Sequence, residues 1–391
     1  MSVAVNTVSR PAAHRKAEYR IVWTYWNPVR ISFGAGSFEQ VAGQLAGRRY
    51  LLVTYPDRFA AELGAQIAAQ VGPPALVIDD IAPNPDLAAL DGQMRRVAAL
   101  DTPPEVILAL GGGSVIDSAK VFATAVRGGL PQVLEHLRAA PTPARFDPLP
   151  IVAVPTTAGT GSEVTSWATV WDSAAGRKYS LALPGLYPEA AIIDPALMIS
   201  KPRALTVSTG LDAFSHALES IWNHHATPIS RHYAVTAARE IIAVLPELAA
   251  TLDDATLRMR MARAALFAGM AFSVTRTAIA HSMSYPLTLR HGVIHGIACS
   301  FTLPAIARSL KGVDGPVGDA LEAALGAPPG AAAAARLEAF LGSLGVSTVP
   351  ADYGLDPAGV HDLVHSAFAG ERGKNFVGQQ ADLIESLQSV D

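Results

Sequence analysis

Along the first half of the chain, apolar positions come in short bursts separated by helical spacing. Residues 29–33, VRISF, alternate and stop at the turn GAGS, and GSFEQVAGQLAG follows with helical periodicity. RYLLVTY (49–55) is an apolar run of strand length, followed by the helical stretch DRFAAELGAQIAAQV. ALVIDDI (75–81) is another such run, closed by Pro83 and Pro85, and LAALDGQMRRVAAL is helical again. EVILALGGG (105–113) and PIVAV (150–154) each run into a loop of small residues. Strands alternating with helices of this length predict βαβ units and a parallel sheet, with right-handed crossovers and ligands gathered at the carboxyl ends of the strands. After Asp194 the texture changes. Long Ala-rich helical patterns follow one another, among them ALTVSTGLDAFSHALESIW and LRMRMARAALFAGMAFSV, and strand signals nearly vanish. The pattern predicts an α/β domain over residues 21–195 and an all-α domain over 196–391. Residues 1–20, polar and almost without acids, read as a flexible tail.

Composition narrows the class. Of 391 residues, 50% are hydrophobic and 16% charged, which fits a compact protein with a sizeable core. A formal charge of −4 offers no basic footprint for nucleic acid and no polybasic patch for a membrane. No apolar run reaches the length of a membrane span. The single cysteine, Cys299, excludes an intrachain disulfide and fits a reducing compartment, so a cytoplasmic location is expected.

Two loops carry candidate chemistry in the first half. In VILALGGGSVIDSAKVFA (106–123) a buried strand ends in three glycines, and Ser114 is expected to cap the next helix. Glycines let a ligand approach the backbone, and the helix start presents free N–H groups and the positive end of its dipole, a seat for a pyrophosphate. The spacing is neither G-x-G-x-x-G, since Ile116 holds the last glycine position, nor a P-loop. The second loop, PTTAGTGSE (155–163), offers Thr156, Thr157, Thr160 and Ser162 as small hydroxyl partners for ribose or phosphate. Two such loops, each after a strand, suggest a nucleotide spread along one sheet edge.

In the helical half, TGLDAFSHALE (209–219) sets Asp212 and His216 four apart, on one helix face. HSMSYPLTLRHGVIH (281–295) adds three histidines among apolar residues. A lone buried histidine is usually inert. An Asp with imidazoles brought to one point, His281 and His295 among them, is instead a ligand set for Fe²⁺, Zn²⁺, Mn²⁺ or Co²⁺ rather than calcium.

Taken in order, PNPDL, GGGSVIDSAK, PTTAGTGSE, DPALM, TGLDAFSHALE and AHSMSYPL with HGIA beyond it resemble the iron-containing (group III) alcohol dehydrogenase family over roughly residues 25–310. The resemblance implies a dinucleotide-binding sheet, a metal-binding helical domain, and Asp212, His216, His281 and His295 as metal ligands. It carries cofactor contacts onto Asn84, Gly112, Gly113, Ser114, Asp117, Thr156, Thr157 and Lys178. The opening stretch WTYWNPVRISFGAG (23–36) is similar to the family's phosphonoacetaldehyde-reducing branch. Two residues depart from the family. Tyr55 stands where many members have an acid for the adenosine ribose, so NADPH is expected to be accepted beside NADH. Tyr285 stands where members often have a histidine that relays the proton, which leaves His291, Tyr285 itself or water to protonate the product.

These readings predict metal-dependent, NAD(P)H-linked reduction of a small aldehyde, with phosphonoacetaldehyde going to 2-hydroxyethylphosphonate, by a homodimer. Arg290 and His291, lying between two ligands, are expected close to the metal, with Arg372 and Lys374 of GERGKNF as further cations for the phosphonate. The rival readings are a general short-chain alcohol dehydrogenase of the same family, a metal- and NAD-dependent lyase like dehydroquinate synthase, and a silent binding protein.

Overall fold

The computed structural model describes residues 22–138 and 146–389, so the expected tail at residues 1–20 lies outside it. The first half builds β1 (Arg30–Phe33), α1 (Val41–Leu45), β2 (Tyr50–Val53), α2 (Arg58–Val71), β3 (Leu76–Ile78), α3 (Leu87–Ala98), β4 (Val106–Gly111), α4 (Gly113–Gly128), α5 (Leu130–Arg138) and β5 (Ile151–Pro155). Then come β6 (Trp167–Asp172), β7 (Arg177–Ala182) and β8 (Ala190–Ile193). Six strands form one sheet in the order β1-β8-β5-β4-β2-β3, and every pairing within it is parallel. Every residue of β4 and β5 is buried, as expected where helices cover both faces of a parallel sheet.

The chain leaves β2 toward β3 on one side and leaves β4 toward β5 on the other. The loops therefore part between β2 and β4, and a crevice opens at their carboxyl ends. Thr54, just past β2, donates its hydroxyl to Leu110 O of β4 at 2.8 Å and ties the two loop origins together.

β6 and β7 were not anticipated. They form an antiparallel hairpin in full register from Trp167↔Ala182 to Asp172↔Arg177, beside the main sheet. Its strands are rich in Trp, Thr, Val and Tyr, the residues that suit a half-buried pleat.

The second half is helical throughout the described residues. α6 (Arg203–Ile221), α7 (Pro228–Ala250), α8 (Ala255–Thr275), α9 (Ile279–His291) and α10 (His295–Ser300) are followed by α11 (Leu303–Ser309), α12 (Gly315–Leu325), α13 (Ala331–Ser343), α14 (Pro357–Ala369) and α15 (Gln380–Gln388). From Thr206 to Ile221, only Thr209 of α6 is not buried. Phe214, Leu218, Ile241, Leu245, Phe301 and Leu337 join one core, with Ala237, Ala238, Ala264, Ala265 and Ala268 letting the helix axes come close. Each large apolar side chain so buried contributes about 1.5–3 kcal/mol. That packing fixes the face of α6 on which Asp212 and His216 stand.

Candidate metal and dinucleotide site

Asp212 and His216 sit one turn apart on α6, His281 in the first turn of α9, and His295 at the start of α10. The three imidazoles converge on one carboxylate oxygen. From Asp212 Oδ1, Nε2 lies at 3.2 Å for His281, 3.7 Å for His216 and 3.8 Å for His295. His216 is sandwiched between Phe272 of α8, 4.0 Å between ring centres, and His281 at 4.5 Å. Burial pushes His216 down to about 4 and His295 down to about 3, so both rings are neutral near pH 7 with lone pairs free. Burial would raise the Asp212 carboxyl, but the facing imidazoles hold it well below the usual range. Burial also opposes charge on His281, yet Cys299, Glu219 and Asp212 around it raise it well above an ordinary histidine.

Two members of this cluster escaped the sequence reading. Glu219, fully buried on α6, accepts from the His281 backbone N–H at 3.1 Å and lies 2.7 Å from His281 Nδ1. A carboxylate on Nδ1 orients the ring and leaves Nε2 toward the centre. The signal was present in TGLDAFSHALE, where Asp212, His216 and Glu219 stand four and three apart on one helical face. Cys299, read only for its redox meaning, stands one turn past His295 with Sγ 3.6 Å from that ring's Nε2. Its sulfur and ligand atoms of Asp212, His281 and His295 all lie within 4.8 Å of one another. An anionic oxygen with the neutral imidazoles of His216 and His295, and His281 oriented beside them, fits a divalent transition metal.

The glycine turn lies beside this cluster. Gly113, Ser114, Asn84, Asp117, Thr160, Lys178, Asp212, His216, His281 and His295 line one cleft. Ser114 does not cap α4. The cap position belongs to Gly112, with no side-chain hydrogen bond, and Ser114 Oγ accepts instead from the Asn84 N–H at 3.2 Å. The Val115 and Ile116 N–H groups both donate to Gly112 O, at 3.0 and 3.1 Å, so in the first turn of α4 the amides of Gly113 and Ser114 are the ones left for a ligand, which suits a pyrophosphate. The glycines also serve packing. A Cβ on Gly113 would meet Thr160 Cγ2 at 2.5 Å, and one on Gly112 would meet Thr157 Oγ1 at 3.1 Å. A larger residue at 113 would therefore disturb the packing of the two loops as well as the phosphate seat.

Asp117 lines the cleft while its oxygens accept from Ser162 Oγ and from the Thr169 N–H. Lys120, one turn on and fully buried, donates to Ser162 O at 2.7 Å and Trp167 O at 2.8 Å, clamping the hydroxyl loop to α4. Thr156 Oγ1 is buried with no partner among the described residues. Tyr55, at the carboxyl end of β2, accepts a hydrogen bond from Lys201 Nζ at 3.0 Å.

Beside the metal cluster stands a second group. Lys178, on the unanticipated β7, places Nζ 3.8 Å from the centre of the Tyr285 ring. Arg372 stacks on the same ring, 5.4 Å from its centre, and donates to Thr277 Oγ1 at 2.7 Å. Lys178 and Arg372 line both the metal cleft and an adjoining outer cavity that Tyr285 also lines. Burial, then the charge of Arg372, pushes Lys178 down to about 7.

Three expected cations stand elsewhere. Arg290 and His291 are exposed at the end of α9, where they border only the outer cavity and do not reach the metal cleft. The segment between two ligands is a helix, and nine residues at 1.5 Å rise carry Arg290 about 13 Å along the axis from His281. Arg290, expected close to the metal, is therefore solvated and stands away from it. Lys374 is exposed, pairs with Glu371 at 2.9 Å, and lines neither cavity.

Known proteins resemble the chain over most of its length. The iron-containing alcohol dehydrogenase description matches residues 28–195, and its C-terminal counterpart matches residues 206–389. The phosphonoacetaldehyde reductase of Streptomyces viridochromogenes is 36% identical over 318 residues, 76% of each chain. The NAD-dependent methanol dehydrogenase of Bacillus methanolicus is 28% identical over 88% of this chain and 93% of its own. Among solved structures, the sulfoacetaldehyde reductase of Bifidobacterium kashiwanohense in complex with NAD⁺ superposes with a TM-score of 0.84 at 30% identity, covering 95% of this chain and all of that one. The chain belongs to the iron-containing alcohol dehydrogenase family, oxidoreductases of divalent metal and nicotinamide dinucleotide.

Proposed function

We propose that the protein reduces a small aldehyde with an anionic tail, phosphonoacetaldehyde to 2-hydroxyethylphosphonate in the first place, using NAD(P)H. The observation that supports this reading is the pair Lys178 and Arg372. Both stack on Tyr285, and both border the histidine cleft and the outer cavity. Half-buried cations without a carboxylate partner are costly. Among the described residues no salt bridge involves either one, so an anionic ligand would supply the missing charge.

Asp212, His216, His281 and His295 would hold the metal, and the amides at the start of α4 would hold the pyrophosphate. Bound there, the metal supplies Lewis acidity and the dinucleotide supplies hydride. The remaining work falls to side chains. Arg372, its fork partly fixed by Thr277, would take two oxygens of the anionic tail. Lys178, an ammonium near its midpoint at neutral pH, would return a proton from Nζ to the product oxygen. It takes the part expected of His291, which is exposed outside the cleft. Burial raises the Tyr285 hydroxyl, which stays protonated and serves as the surface on which both cations lie.

The test is a panel of phosphonoacetaldehyde, sulfoacetaldehyde and propanal with the metal-loaded protein, following reduced cofactor at 340 nm. The anionic aldehydes should lead propanal in kcat/KM by a factor of about a hundred, the scale of one well-made charged pair. Net oxidation of cofactor also separates a reductase from a lyase that uses NAD only transiently.

A further inference from the structure

We infer that the carboxyl end of β2 carries a receptor for a phosphate on the 2′-oxygen of the adenosine ribose, built from Lys201 and Tyr55, and that the protein selects NADPH over NADH. The inference rests on the reading above only in placing a dinucleotide along this sheet edge. Where such a sheet binds a dinucleotide, the loop after the second strand meets the ribose. A carboxylate there takes the 2′-hydroxyl, and a cation accommodates a 2′-phosphate.

No acid stands at that place here. Tyr55 does, and Lys201 reaches it from the turn that follows β8, 146 residues along the chain. Nζ donates to Tyr55 Oη at 3.0 Å and lies 5.1 Å from that ring's centre and 5.8 Å from that of Phe59. An ammonium has three donors, and Tyr55 uses one. Among the described residues no carboxylate pairs with Lys201 within 4.0 Å.

The lysine is also held in place. Its backbone oxygen accepts from Arg258 Nη2 at 2.9 Å and from Thr206 Oγ1 at 3.3 Å. Arg258, buried, donates in addition to Ile199 O and to Thr206 Oγ1. This buried guanidinium, anchored on its other edge by Nε to Leu252 O at 2.8 Å, fixes the point from which Lys201 projects. The surrounding cavity is lined by Tyr55, Phe59, Leu205 and Lys201, with Leu205 exposed, an apolar lip suited to adenine beside a cation that has no carboxylate partner among the described residues. The opposing charges are modest. Asp57 lines the same cavity, but its Oδ1 caps α2 by accepting the Phe59 N–H at 2.8 Å. Arg58 and Glu62, also there, pair with each other at 2.7 Å. Asp79 lies on the neighbouring cavity at the end of β3.

The experiment is a fluorescence titration of the metal-loaded protein with NADPH and with NADH, backed by competition with adenosine 2′,5′-bisphosphate and with 5′-AMP, for the wild type, Lys201→Met and Tyr55→Phe. The wild type should bind NADPH at least about tenfold more tightly than NADH, with the bisphosphate outcompeting 5′-AMP. Lys201→Met should remove most of that ratio and leave NADH within about twofold; Tyr55→Phe should reduce it less. A wild type that prefers NADH overturns the inference, as does Lys201→Met weakening both dinucleotides alike. If Lys201→Met melts early, the wild-type competition between the two adenosine phosphates decides alone. No aldehyde enters the measurement, so its failure and that of the substrate reading are distinguishable.

Discussion

His281 is gripped by two carboxylates, Glu219 at Nδ1 and Asp212 at Nε2, and that arrangement ranks the side chains by consequence. Replacing His281 with Ala should abolish metal retention and turnover together, checked by elemental analysis of the purified variant. Glu219→Gln keeps the shape but weakens the orienting partner, and should lower metal affinity by about 10–100-fold, the usual cost of losing such a support. A chelator competition measures it, and unchanged affinity would mean Glu219 serves only the fold. Arg372→Ala should cost about 2–4 kcal/mol in kcat/KM for phosphonoacetaldehyde and far less for propanal, while Arg290→Ala should leave both alike. Lys178 sets the pH dependence. Its pKa is depressed to about 7, so the ammonium is present below that value and lost above it. Reduction should therefore decline as pH rises through about 7, and Lys178→Met should flatten the profile at a lower rate.

At the level of elements, the turn between β4 and α4 is set as much by packing as by phosphate. Gly113→Ala pushes a methyl into Thr160, an overpacking worth about 1–3 kcal/mol, and Thr160→Gly should recover part of the loss in a double-mutant cycle. Additive losses in thermal melts would show that the two loops do not press on each other. The same scale shows what the sequence could reveal. Strands β2 to β5 were legible because each is a short apolar run ending in turn residues, and α6 because its ligands share a helical face. The β6–β7 hairpin was missed because the eye follows the glycines and hydroxyls of 155–163 into what reads as one long loop. Yet that hairpin delivers Lys178. Arg290 was misplaced for a related reason. Sequence proximity to two ligands says little once a helix carries the residue away, whereas Arg372, distant in sequence, returns on the turn after α14 to Thr277 and Tyr285.

The whole molecule divides the labour between its halves. The sheet offers backbone amides and hydroxyls at one edge, the helices offer the anionic and imidazole donors, and β7 with the turn after α14 closes the gap with two cations. Metal affinity should follow from this. His281 carries a proton that a metal must displace, so metal uptake should weaken as pH falls, and chelator-treated protein should melt earlier and recover on adding Fe²⁺ or Zn²⁺. The proposed selection of the aldehyde rests on the cation pair. The most direct measurement is the ratio of kcat/KM for phosphonoacetaldehyde to that for propanal, taken on the same metal-loaded protein and cofactor. A ratio of about a hundred or more is expected, collapsing toward unity in Arg372→Ala. A wild-type ratio near one, or a ratio that Arg372→Ala leaves unchanged, would contradict the account.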